Sequence, residues 1–173
     1  MVDDQQRKIV SVIGSLIFLL IAPMTVVGLI PYWITRWQRE SSFGGAAFLQ
    51  VVGVVLVIAG VSVLLDSFAR FAIEGLGTPA TIFPTRHLVV QGLYRYVRNP
   101  MYVALVMAIT GQALLFGSLH LIEYAAIVWL CTHLFVVGYE EPKLRATFGA
   151  GFEAFSAHVP RWIPRVRPWD HKA

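Results

Sequence analysis

The chain has 173 residues, 57% of them hydrophobic and only 14% charged, with a mean hydropathy of +0.66. A soluble domain carries about a quarter charged residues, so composition alone reads as a membrane protein. The net charge of +4 does not point to nucleic acid. Of the 14 Lys and Arg, four fall between Arg70 and Arg98 and six after Glu141, flanking apolar runs as the positive-inside rule requires.

The first apolar run, about 9–30, follows Arg7 and Lys8. It outruns a signal-peptide core and has no small-residue cleavage site, so it reads as a retained first span. Pro23 predicts a kink within it, and Trp33, Arg36, Trp37 and Arg39 an interfacial anchor after it. A second span is predicted over about 46–65, where Gly53, Gly60 and Ser62 offer small surfaces for close helix contact. The third, about 101–116, is short for a crossing. The fourth, about 121–138, follows after only Gly117, Ser118, Leu119 and His120, which demands a tight antiparallel hairpin. Beyond it, Leu144, Phe148, Phe152 and Phe155 recur at helical spacing, and Pro142 suits a first turn. An amphipathic helix is therefore expected on the membrane surface or over the mouth of the bundle. Pro160, Pro164 and Pro168 then end helix, with Trp162 and Trp169 as interface anchors. The fold class read here is an all-α integral membrane protein with about four transmembrane helices and a cytosolic amphipathic C-terminal helix. The basic 66–100 loop and the 140–173 tail share one side, which puts both termini in the cytosol, as in a prokaryotic inner membrane. Arg36 and Arg39 in the first loop run against that assignment.

Little protein lies outside the bilayer, so chemistry must use the loop, the span ends and the Glu140–Glu141 pair. Cys131 lies in an apolar run and reads as packing. No HExxH, paired-Cys or carboxylate cluster supports a metal. The two GxG pairs lack a strand and a third glycine, and no serine sits in GxSxG, so dehydrogenase and hydrolase readings have no support. Glu140 and Glu141 suit the dipole of a following helix, or hold a cationic group. His133, deep in the fourth span, is a hydrogen-bonded core histidine or lines a site. Around Asn99-Pro100 crowd Arg86, Arg95 and Arg98 with Tyr94, Tyr96 and Tyr102. Membrane anchoring explains each singly. Together they offer a helix N-terminus, arginine forks for an anion and aromatic faces for a cation.

Arg86-His-Leu-Val-Val-Gln-Gly-Leu-Tyr94, Arg98-Asn-Pro-Met-Tyr102, Glu140-Glu141, Leu144 with Phe148-Gly149, and Val159-Pro-Arg161 with Pro164 come in one order. Their order resembles the isoprenylcysteine carboxyl methyltransferase family, within the wider group of phospholipid N-methyltransferases. The resemblance implies a membrane enzyme that binds S-adenosylmethionine at the cytosolic face without a Rossmann domain. By the same resemblance Arg86, His87, Leu88, Val89, Tyr94, Asn99, Pro100, Met101, Tyr102, Glu140 and Glu141 are cofactor contacts. Arg98 and His133 are the candidate catalytic residues: Arg98 as an anion partner, His133 as the only buried base for an amine acceptor. Two departures stand out. Asn99 replaces the family's imidazole, and Val136 occupies the place of a substrate-binding arginine. The acceptor expected is a lipophilic small molecule or lipid carrying a carboxylate, thiol or similar group. Phospholipid amine methylation is the rival enzyme, and a non-catalytic module for lipid or a partner the rival class.

Overall fold

The computed structural model describes residues 13–14, 17, 21–40, 43, 46–73, 88 and 90–170, and their regular structure is helical throughout. Helix α1 (Ile21–Thr35) and α3 (Pro100–Phe116) are short and apolar; α2 (Ala47–Ile73) and α4 (Leu119–Phe148) supply the two stretches long and apolar enough to cross a membrane. A small helix, α5 (Ala150–His158), follows α4. Much of the outer face of α2 is bare: Phe48, Val51, Val55 and Ile58 are all exposed. Such a patch suits a lipid environment, because water would penalise it.

The α2–α3 contact organises the molecule. A Cβ added at Gly53 would lie 2.6 Å from the Gly111 carbonyl oxygen, and one at Gly111 would lie 2.7 Å from that of Gly53. One turn pair further along, Gly60 meets the backbone of Ala104. Of the small residues predicted to serve such contact, Gly53 and Gly60 do so. Ser62 is exposed and bonds back to the Ile58 carbonyl. Below them Leu64, Phe68, Met101, Ala104 and Leu105 form a buried cluster.

Pro31 and Pro142 both lie inside helices. The first run was predicted to stop near residue 30, yet α1 continues through Pro31 to Thr35. Pro31 lacks the N–H that would bond Val27. A π-helical turn, Thr25–Leu29, precedes it, and the Val27 carbonyl takes a hydrogen bond from Gln112 Nε2 at 2.8 Å. Tyr124 Oη donates to Val26 beside it, at 3.0 Å. Replacing Gln112 by Met should cost about 1 kcal/mol, the worth of one interhelical hydrogen bond. A thermal midpoint in detergent equal to wild type would show that the carbonyl is satisfied otherwise.

Pro142 repeats the pattern. It does not start a new helix; α4 runs unbroken through it, with a π turn over Val136–Glu140 just before. The amphipathic helix predicted after it is divided at Gly149, whose φ of +50° and ψ of −123° break the run. Phe152 and Phe155 of α5 bury with Val159 against Leu144, Phe148, Leu88, Val90 and Trp169.

Candidate functional site

A 3-10 turn, Gly92–Arg95, leads into α3. Gly92 has a φ of +53°, and a Cβ there would fall 2.1 Å from Arg70 Cζ; the turn accepts glycine alone. Arg70 in turn forks onto Asp66, one helical turn back on α2. The turn buries Tyr94, which is hydrogen-bonded to Ser67. Burial holds its phenol far above the usual range, and the Glu140 and Asp66 carboxylates push the same way against the Ser67 bond.

Pro100 then opens α3 and is fully buried. One turn into the helix, Tyr102 donates from its hydroxyl to Glu140 Oε2 at 2.9 Å. Among the described residues Glu140 Oε1 accepts no hydrogen bond. Glu141 faces another way. Arg161 grips it with two bonds, Nε to Oε1 at 2.6 Å and Nη2 to Oε2 at 2.8 Å. Arg98 Nη1 adds a third contact at 3.1 Å. Arg98 Nε is buried and has no hydrogen-bond partner among the described residues. Burial draws the Arg98 guanidinium below its ordinary value, with Glu141 opposing; the two Glu141 bonds hold Arg161 above its own.

The final segment, 160–170, is strapped across this threshold. Backbone bonds join Arg98 N to Pro160 O at 2.9 Å, Arg165 N to Tyr96 O at 3.0 Å and Trp169 N to Arg95 O at 2.9 Å. Asn99 Nδ2 donates to the Arg161 carbonyl at 3.2 Å. Trp162, expected as a membrane anchor, turns inward instead and donates from Nε1 to His133 Nδ1 at 3.1 Å. Trp169 stacks on His158. The exposed apolar side chains of the strap are Ile163 and Val166.

Between α3 and α4 lies a groove of about 250 Å³ lined by Tyr102, Val103, Val106, Met107, Trp129 and Trp162. Its lining is almost wholly apolar, and it ends at the tyrosine that touches Glu140. His133 stacks on Trp129 behind it, with ring centroids 5.3 Å apart.

Among the residues predicted to form a site, the structure gathers Tyr94, Arg98, Tyr102, Glu140 and Glu141 where the start of α3 meets α4. It gives others structural partners. Met101 is in the α2–α3 core, Leu88 packs against α5, and the Asn99 amide is spent on the strap. Arg86, His87 and Val89 lie outside the described residues, as do residues 74–85. Asp66, Ser67, Arg161 and Trp162 were not read as site residues. The first two carried a signal: an acidic residue and a serine at the end of a long apolar run. No group of three or more His, Cys, Asp or Glu among the described residues could hold a metal.

A sequence model of the phospholipid methyltransferase family matches residues 48–151. Protein-S-isoprenylcysteine O-methyltransferase B of Arabidopsis thaliana is 30% identical over 82 residues, which cover 46% of this chain and 40% of that protein. The probable protein-S-isoprenylcysteine O-methyltransferase of Oryza sativa subsp. indica is 28% identical over 128 residues, 69% of this chain and 63% of that one. The chain therefore spans between 40% and 63% of the length of these relatives. Both are plant proteins, so they lend nothing to the prokaryotic inner membrane read from the sequence. No solved structure matches the chain. The family match runs from the start of α2 through both glutamates to the first residues of α5, taking in the whole Tyr94–Glu141 cluster, and on that match the chain belongs to the phospholipid methyltransferase family.

Proposed function

We propose that the protein is an S-adenosylmethionine-dependent methyltransferase of four spans with both termini in the cytosol. It acts on a carboxylate, thiol or similar group of a lipophilic small molecule at the cytosolic face. The observation that carries this reading is the junction of two unlike surfaces at Tyr102: a polar cluster around Glu140 on one side, an apolar groove on the other. A methyl-transfer site between a charged donor and a greasy acceptor needs that junction.

The residues fit the donor. Glu140, with one oxygen held by Tyr102 and the other accepting no hydrogen bond among the described residues, suits an ammonium. Arg98, whose buried Nε–H has no partner among the described residues, suits a carboxylate, because an orphaned buried donor is costly until it is met. S-adenosylmethionine supplies, when bound, an activated methyl on a sulfonium. The chain's own task is then positioning: in-line alignment and exclusion of water are worth several kcal/mol without any protein nucleophile.

The acceptor class draws support from His133. Its Nδ1 accepts the Trp162 N–H, so the neutral ring carries its proton on Nε2 and has no lone pair left for a base. An amine acceptor must lose a proton, whereas a carboxylate or thiolate need not. That favours O- or S-methylation, and the two plant relatives are named as O-methyltransferases. The family description favours the second reading, methylation of a phospholipid amine. Incubating the protein and membrane extract with methyl-labelled donor decides between them: base-labile label marks an ester, base-stable label an N- or S-methyl product, which chromatography then resolves.

Purified protein titrated with S-adenosylhomocysteine tests the core of the proposal. Wild type is expected to bind, and Glu140→Gln to bind at least about tenfold more weakly, the worth of a charge-assisted contact. Gln keeps an acceptor for Tyr102, so the fold is spared. A wild type that does not bind would leave only a non-catalytic lipid- or partner-binding module.

A further inference from the structure

We infer that Trp162 is the residue that sets acceptor specificity, as a fixed wall of the α3–α4 groove; this rests on the methyltransferase reading above. The groove is floored by one face of α3, where Tyr102, Val103, Val106 and Met107 lie within two turns. Trp129 of α4 forms a side. The remaining aromatic wall comes from neither helix but from the strap, 60 positions away from Tyr102 in sequence.

Three features fix that wall. The residue before it, Arg161, is clamped at both ends: its side chain forks onto Glu141 and its carbonyl accepts the Asn99 amide. The backbone on either side is tied to the segment before α3, through Pro160 O and Arg165 N. The indole itself donates to His133 Nδ1, with its ring 5.8 Å from the imidazole. A side chain held by its neighbours, by its backbone and by its own N–H cannot move aside to suit a ligand. The groove it closes is nearly all apolar, and Tyr102 links its polar end to Glu140. Its occupant is the apolar chain of the acceptor, with the reacting group at the Tyr102 end. Near that end the indole rejects bulk.

Nothing in this assignment makes Trp162 a catalytic residue. It acts on which molecule is held, so its removal should change the choice among acceptors and the KM, with binding of the donor half preserved. The test uses the full chain, methyl-labelled S-adenosylmethionine and a total lipid extract as a pool of acceptors, with products resolved by mass. In Trp162→Ala, the ratio of bulkier to slimmer labelled products should rise by about tenfold, the scale on which a pocket discriminates by size. KM for the main wild-type product's acceptor should rise more than kcat falls, and S-adenosylhomocysteine should bind as in wild type. Trp162→Phe, which restores the wall but not the N–H, should return the product ratio towards wild type. An unchanged ratio in Trp162→Ala would overturn the inference. So would loss of S-adenosylhomocysteine binding in both variants, which would make Trp162 a structural support. Failure of the underlying reading looks different: the wild type itself then labels nothing.

Discussion

Gly111→Ala should lower the stability of the helix pair by about 3 kcal/mol, the upper part of the range for overpacking a tight core. The added methyl would lie 2.7 Å from the Gly53 carbonyl oxygen, 2.8 Å from the Val57 nitrogen and 2.9 Å from Val57 Cγ2. Two of those three atoms are backbone, so no rotamer change makes room; α2 and α3 must separate along their whole seam. Helix propensity acts in the opposite direction, since alanine is favoured over glycine by roughly 1 kcal/mol. The clash outweighs it. Gly138→Ala is the control, because a Cβ there meets nothing within 4 Å. Thermal unfolding in one detergent compares the two. Equal midpoints for Gly111→Ala and wild type would mean that the seam is looser than its geometry.

Glu141→Ala should be nearly as damaging, by a different route. The side chain is 10% exposed, and its carboxylate compensates two guanidiniums. Removing one partner of a buried ion pair costs about 3–5 kcal/mol, because the remaining charge stays desolvated. Arg161 is about a third exposed and can turn to solvent, so the lower end applies; Arg98, at 12% side-chain exposure, cannot. The strap should then release from the threshold, which limited proteolysis would register as early cleavage between 159 and 170. Arg161→Ala should release the strap too, yet cost less stability, because Arg98 still compensates Glu141. If Glu141→Ala melts with wild type and its tail resists protease, the clasp contributes nothing.

Much of this was readable from residue type and order. Apolar run lengths pointed to α2, α3 and the first part of α4, and the small residues on α2 pointed to a close seam, though its other half, Gly111, sits in a run where nothing distinguished it. The order of the Arg98–Tyr102 and Glu140–Glu141 motifs pointed to their meeting across a hairpin. Three things were not readable, each for a reason. Prolines within helices read as ends, because the donors that replace the lost backbone bonds, such as Gln112, come from another helix. Arg161 stood in a motif without a role, since its partner lies 20 residues away and only the returning tail brings them together. Tryptophans after a membrane run read as anchors from composition. Whether they point to lipid or inward depends on a hydrogen-bond partner, here His133, that local sequence cannot show.

The π turn over Val136–Glu140 has a consequence for the order of charges along α4. Adjacent residues on a helix point about 100° apart, so two neighbouring carboxylates set out towards different faces. Here Glu140 looks across to Tyr102 while Glu141 looks to the tail. This stretch of α4 thus acts as a partition, with Tyr102 on one side and Arg161 on the other. One residue deleted from the π turn would rotate both carboxylates away from their partners together. Substitutions in it need not do so: Gly138 has room for a side chain. The length of that turn, more than the identity of its residues, is what keeps the charge facing Tyr102 apart from the charge facing Arg161.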